Sequence, residues 1–542
     1  MSAVDTDDLM IAPPSGTPSA PPPKAPARTS RRRIWWGASI VAFWVLAAVS
    51  AAFAGIGFWV RRTFGAISID QLLSNLNGGG EGAGGAGLVI GGVMTGIVIP
   101  LGIVLLIAIF VERRRRRWHR AAAFGARPNL QRPVRWTAAL LALVLLVSGG
   151  AYLGAAIGAG DYAQALYRDL TTDFGFDRYY ETPQVSAAPG EGSAQPRNLI
   201  VIYLESMENT FSDDDLFEKD MLAPVEDVTR GWQTIDDYRQ YEGGGWTMSG
   251  ILSTQCGVPL RSASSTADIS ELNEMDSADG NTAPYLAGAT CLGDVLADQG
   301  YRNVYLGGAD ASFAGKGAFL STHGYDEIDD LNVWKAEGET EVRGDWGLSD
   351  RRLFAQAKDK VDELHAGDQP FNLTMLSLDT HEGPRLYDYC TRDTDAVMTS
   401  ITYCSMQQVA GFVEYLDEQG YLDDTAVVLM GDHQKMIAEG GSFWDELKDL
   451  DHRTIFNRIW SPDGLRVARD DLDQMSMYPT LLELTGLEVQ DHRAGIGVSA
   501  LTDGSDVPHG SILDLSAEEY RDLVTSRSSE FYQRLWRTSG LD

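Results

Sequence analysis

Three long apolar stretches, at about 35–60, 87–111 and 137–159, constrain this chain more than any other feature. Each is long enough to cross a hydrocarbon core of about 30 Å as an α-helix, one of the few structures that satisfies every backbone polar group there. The first is too long and too rich in tryptophan for a cleaved signal sequence. Arg31 to Arg33 precede the first span, and Arg113 to Arg117, Arg120, Arg127, Arg132 and Arg135 separate the second from the third. Both regions are therefore expected on the cytoplasmic side. Arg61 and Arg62, just beyond the first span, run against that pattern. Everything after about residue 160 is then expected outside the cytoplasm, with the glycine-rich stretch 78–87 a short external connector. Residues 1–33 read as a disordered cytoplasmic tail, 34–160 as the membrane domain, 161–197 as an extracytoplasmic linker and 198–542 as a catalytic domain.

Charge divides along the same line. The chain has 542 residues and a formal charge of -32, yet residues 1–160 hold 16 Lys and Arg against 6 Asp and Glu. The external remainder is strongly acidic, which argues against nucleic acid as a partner, because phosphate backbones are held by clustered cations. All four cysteines, Cys256, Cys291, Cys390 and Cys404, lie in this external part. An even number in an oxidising compartment suggests two disulfides, and chain proximity favours 256 with 291 and 390 with 404 over the two other pairings; four buried thiols are the alternative.

Apolar runs that end in metal-ligand side chains organise the external part. Residues 425–436 carry five apolar residues, Ala426 to Met430, then Gly431 and the pair Asp432, His433. Residues 198–205 form a second run ending in Glu205, and 373–381 a third ending in Asp379 and His381. Such runs read as strands buried on both faces, and open α/β sheets bind ligands outside the carboxyl ends of their strands. A carboxylate that merely caps a following helix is the competing reading for Asp432. Convergence of Asp, Glu and His at one edge points to a divalent cation with mixed oxygen and nitrogen ligands: Mn²⁺, Mg²⁺ or Zn²⁺. Strands alternating with helices (one from 291 that feeds a strand at 303–306, then 346–366, 395–418 and 478–486) predict a doubly wound, largely parallel sheet.

Two loops carry further candidates. Gly243 to Gly245 lead through Trp246 into Thr247 and Ser249 at a predicted helix start. A hydroxyl there either caps the helix or, exposed by the turn beside an N-terminus that favours anions, acts as a nucleophile on phosphorus. Lys316, in the glycine-rich stretch 307–317, is a candidate phosphate contact, the alternative being a solvated surface cation.

Glu205, the Gly-Trp-Thr247 turn, Asp379-Thr-His381 and Gly-Asp432-His433, in that order, resemble the alkaline phosphatase/sulfatase superfamily. Within it the chain is similar to the membrane-anchored glycerophosphotransferases, the group of lipoteichoic acid synthases and phosphoglycerol transferase I. Gln255-Cys-Gly-Val-Pro259, Phe313-Ala-Gly-Lys316, His323-Gly-Tyr325, Asp345-Trp-Gly-Leu348 and Arg493-Ala-Gly-Ile-Gly497 carry the likeness as well. The resemblance implies one Mn²⁺ or Mg²⁺ held by Glu205, Thr247, Asp432 and His433, with Thr247 as nucleophile. It also implies substrate contacts from His381, Asp379 and Lys316, with His381 as an acid, base or orienting group. Lys316 stands where lipoteichoic acid synthases carry an arginine, and Ala314 where they carry an aromatic residue.

The implied reaction moves glycerol phosphate from phosphatidylglycerol through a glycerophospho-threonine to a hydroxyl of a cell-envelope glycan, releasing diacylglycerol. A sulfatase is disfavoured because Cys256-Gly-Val-Pro-Leu-Arg261 has one residue too many before the proline. A phosphoethanolamine transferase or phosphodiesterase of the same superfamily, or a membrane-tethered scaffold without turnover, are the other readings.

Overall fold

The computed structural model describes residues 28–65, 67–69, 71, 90–121, 131–172, 174–187, 196–261, 284–343, 346–502 and 509–537. The tail expected up to residue 27 and the glycine-rich connector at 78–87 lie outside these residues. Helix α1 (Arg28–Phe64), α2 (Ile99–Ala121), which follows a π-helical turn at Met94–Val98, and α3 (Gln131–Ala156) carry the three apolar spans. The stretches apolar enough to cross a membrane are Ala38–Phe64, Ile90–Arg117 and Ala139–Ala156. Val45, Phe58, Leu106, Phe110, Leu140 and Val147 are exposed on the outside of the bundle, the arrangement that suits lipid rather than water. Ser50 Oγ donates to the Leu145 carbonyl at 2.5 Å and the Arg61 guanidinium lies over the Tyr152 ring, so α1 and α3 run parallel.

Both helices end against the external domain. Val60, Ile67 and Ala156 are buried together, with Met436 packed on them. The stretch expected as a spacer is tied down in its described part. Helix α4 (Ala159–Thr171) pairs Arg168 with Asp522, and Asp169 accepts a hydrogen bond from Ser529 Oγ at 2.6 Å. Val185–Ala187 pairs antiparallel with Leu487–Val489.

The external domain is built on six strands: β1 (Asn198–Leu204), β2 (Arg302–Gly307), β3 (Glu327–Asp329), β4 (Phe371–Leu376), β5 (Thr425–Gly431) and β6 (Asn457–Trp460). Their order across the sheet is β3-β2-β4-β1-β5-β6, parallel throughout except for the antiparallel edge strand β6. Side chains alternate between two cores. Leu199, Val201 and Tyr203 of β1 enter one, Ile200, Ile202 and Leu204 the other, and β5 divides Ala426, Val428, Met430 from Val427, Leu429 in the same way. Such a sheet is covered on both faces, which explains the uninterrupted apolar runs. The predicted strand at 373–381 is Phe371–Leu376, so Asp379 and His381 sit in the turn beyond it. Both favoured disulfides are present, Cys256–Cys291 and Cys390–Cys404.

Candidate active site

Register brings the site together. Leu204 pairs with Gly431 in the parallel β1–β5 ladder, so the residues that follow, Glu205 and Asp432, leave the sheet side by side. The Glu205 amide donates to Ser377 Oγ at 2.9 Å and Thr380 Oγ1 to the Glu205 carbonyl at 2.6 Å, which fastens the end of β1 to the turn after β4. Glu205, Asp432 and His433 each offer one ligand atom within 4.8 Å of the others, and all three are buried. The His433 Nδ1 lies 2.7 Å from the Gln434 carbonyl. A carbonyl only accepts, so Nδ1 carries the proton, and Nε2, 3.8 Å from Glu205 Oε1 and 3.5 Å from Asp432 Oδ2, offers a lone pair.

Asp432 divides its oxygens. Oδ1 accepts from the Ser206 and His433 amides, each at 2.8 Å, while Oδ2 is buried with no hydrogen-bond partner. Burial and the neighbouring Glu205 push the Asp432 carboxyl up to about 7. Burial also pushes Glu205 up, but the His381 and His433 imidazoles, with Ser206 and Lys435, more than offset it and leave that carboxyl below its usual value. An orphaned carboxylate oxygen, a second carboxylate and an imidazole lone pair facing one point fit a divalent cation. Cys291, Asp294 and His323 also lie close together, but Cys291 is bonded to Cys256 and offers no free thiolate.

Thr247 opens helix α5 (Thr247–Cys256), every other residue of which is buried. Its Oγ1 donates to Glu205 Oε2 at 3.3 Å, and no side chain caps the helix at Trp246, so the capping reading of Thr247 does not hold. Ser249 is turned away, bonded to the Tyr241 hydroxyl. The helix lies close to Asp432: a Cβ on Gly250 would stand 2.0 Å from the Asp432 carbonyl oxygen, which instead accepts from Gln474 Nε2 at 2.8 Å.

The substrate candidates separate. Lys316 opens helix α6 (Lys316–Thr322) and is 3% exposed, which overturns the solvated reading. Its ammonium sits 5.8 Å from the Tyr305 ring centroid and feels Asp330, Asp310, Glu205 and Asp432, yet burial holds it down to about 8. The His381 Nδ1 points to the Glu382 carbonyl at 3.1 Å, leaving Nε2 free of that bond, and burial keeps the imidazole below its usual value. Asp379 belongs to a different group. Its Oδ2 accepts from the Asp350 amide at 3.1 Å and the Tyr389 hydroxyl at 3.0 Å, and burial with the adjacent Asp350 carboxyl pushes it far above the carboxylate range. Asp379 thus sits beside Asp350 and is not a member of the Glu205, Asp432, His433 cluster.

Several site residues escaped the sequence reading. Ser206, at φ 56°, donates through Oγ to Glu205 Oε1 at 2.6 Å. Lys435, 3% exposed, reaches the Thr380 carbonyl and Glu382 Oε2, each at 3.2 Å. Trp346 lies on His381 with ring centroids 3.8 Å apart. Lys435 could have been noticed two residues from His433; Ser206 and Trp346 lie in segments that carry the family resemblance, Leu204-Glu-Ser206 and Asp345-Trp-Gly-Leu348, but were given no role of their own.

The sulfatase family model matches residues 197–487, more than half of the chain. The chain belongs to the sulfatase family. Phosphoglycerol transferase I of Xanthomonas axonopodis pv. citri is 33% identical over 307 residues, 53% of this chain and 42% of that protein. Phosphoglycerol transferase I of Citrobacter koseri is 27% identical over 486 residues, 87% of this chain and 57% of that protein. The chain thus spans about half the length of the curated relatives it matches. Among solved structures, an alkaline phosphatase superfamily protein from Vibrio parahaemolyticus has a TM-score of 0.48 at 18% identity, covering 70% of this chain and 98% of that one. The lipoteichoic acid synthase LtaP from Listeria monocytogenes has a TM-score of 0.46 at 17% identity, covering 66% and 96%.

Proposed function

We propose that this chain is a membrane-anchored, metal-dependent glycerophosphotransferase whose donor is phosphatidylglycerol and whose acceptor is a hydroxyl of a cell-envelope glycan. The observation that carries the reading is the Thr247 hydroxyl at a helix N-terminus, hydrogen-bonded to Glu205 beside Asp432 and His433. The names of the relatives support the transferred group.

Glu205, Asp432 and His433, with Thr247, hold the cation, Mn²⁺ by preference. When bound it neutralises non-bridging phosphoryl oxygens and lowers the pKa of a hydroxyl it touches. Thr247 enters the cycle as the alkoxide, its proton lost to water beforehand; Oγ1 attacks phosphorus, the new O–P bond forms, and the bond to the diacylglycerol oxygen breaks. The N-terminus of α5 and the Lys316 ammonium stabilise the added negative charge. His381, charged at this stage, gives a proton from Nε2 to the departing oxygen. The neutral imidazole, the form that burial favours, then takes the proton of the acceptor hydroxyl as it attacks the glycerophospho-threonine. Transfer to the acceptor frees Thr247 and recharges His381, so the cycle closes without another reactant. Asp379, through the turn it shares with His381, is proposed to hold the substrate-facing loop.

The test is diacylglycerol release from phosphatidylglycerol vesicles in the presence of Mn²⁺. Wild type is expected to release it, and Thr247→Ala to be slower by about 10³-fold or more. Equal release by the variant would remove Thr247 as the nucleophile.

A further inference from the structure

The loop that follows His433 runs directly onto the outer end of α1. Met436 packs on Val60, Ile67 and Ala156. Gly65 comes so near that a Cβ there would stand 2.1 Å from the Ile437 carbonyl oxygen, and Arg62 Nη1 donates to the Glu439 carbonyl at 3.2 Å. Glu439 is six positions along the chain from His433, so the two Cα atoms, one at the candidate active site and one at this end of the helix, are at most about 22 Å apart.

Arg61 and Arg62 are exposed at the membrane boundary, on the side where arginine is disfavoured by orientation. Neither is ion-paired with a carboxylate among the described residues, although the external domain is rich in acids. Arg61 instead lies 5.3 Å from the Tyr152 ring centroid. Arg62 spends one N–H on Glu439, and a guanidinium has five. Uncommitted guanidinium donors at an interface match the phosphate of a lipid headgroup in charge.

We propose that Arg61 and Arg62 are a docking point for the headgroup phosphate of an anionic glycerophospholipid in the outer leaflet, beside the mouth of the candidate active site. This deepens the donor reading above and rests on it for the lipid's fate, not for its binding. A docked headgroup lies at the joint between helix and metal-ligand loop, from which it passes to Lys316 and Thr247.

The full chain carrying Thr247→Ala, so that bound lipid is not consumed, is placed in nanodiscs of mixed phosphatidylglycerol and phosphatidylcholine. Lipid retained on the protein is read by native mass spectrometry. Preferential retention of phosphatidylglycerol is expected, reduced about tenfold or more by adding Arg61→Gln and Arg62→Gln, and largely recovered with Arg61→Lys and Arg62→Lys. Thermal unfolding of all three is expected to coincide. Equal retention of the two lipids by the Thr247→Ala chain would overturn the proposal whatever the other variants do. So would an undiminished preference in the glutamine pair, or a lowered unfolding temperature that the lysine pair corrects without restoring the preference. Retained phosphatidylglycerol with no diacylglycerol released by wild type would sink the donor reading and leave the docking point standing.

Discussion

Burial holds the Lys316 ammonium down to about 8, and that fixes a pH dependence. Below that value the group is charged and, in the role proposed for it, holds a phosphodiester; as pH rises through it, the charge and with it that binding are lost. KM for a phosphodiester is therefore expected to climb between about pH 7 and pH 9, while Lys316→Arg, charged throughout, flattens that limb. Lys316→Met is expected to raise KM at neutral pH by about 10- to 100-fold, the worth of one charge-assisted hydrogen bond. The unpaired Oδ2 of Asp432 makes a second prediction. Mn²⁺ should raise the unfolding temperature of wild type by mass action and leave that of Asp432→Asn unmoved. A shift of equal size in the variant would place the ion elsewhere. At this scale the sequence was legible wherever a ligand type ended an apolar strand, as with Glu205, Asp432 and His433. It was not legible where a partner comes from a distant segment. Asp350 accepts the Leu378 amide at 2.6 Å and so shapes the turn carrying Asp379 and His381, yet 28 residues separate the two.

Helix α5 comes closest to the loop after β5 where Gly250 faces the Asp432 carbonyl. Gly250→Ala must displace either the helix that presents Thr247 or the loop that presents Asp432. Overpacking of this kind is expected to cost about 1–3 kcal/mol in denaturant unfolding. The stabilisation by Mn²⁺ should shrink with it, because both partners are proposed metal ligands; an undiminished metal response would show that the helix and the ligand loop are not coupled. Element types were readable because both-face burial leaves unbroken apolar runs and helices leave their own period. Exact ends were less so: β4 stops at Leu376 because the Leu378 and Asp379 amides turn to the Asp350 carboxylate rather than to a neighbouring strand. Nothing local to 185–187 announces its pairing with 487–489, since the register depends on a strand some 300 residues away.

At the level of the whole molecule, two of the three candidate membrane helices, α1 and α3, meet the α/β domain at a joint that includes the loop just after the candidate metal-ligand pair. Hydropathy and the arginine pattern made the membrane part legible, and the reversal of charge marked where the acidic domain begins. The described part of 161–187 is a packed connection, which composition alone does not reveal because its ties are single side chains such as Asp169 with Ser529. The account's central claim is that a lipid phosphodiester is brought to Thr247 and opened there. It is tested most directly by the intact mass of the full chain after incubation with Mn²⁺ and phosphatidylglycerol without an acceptor, followed by peptide mapping. The account predicts one glycerophosphate adduct on Thr247, absent from Thr247→Ala and from samples treated with chelator. An adduct on another residue, or diacylglycerol released at the same rate by Thr247→Ala, would contradict it.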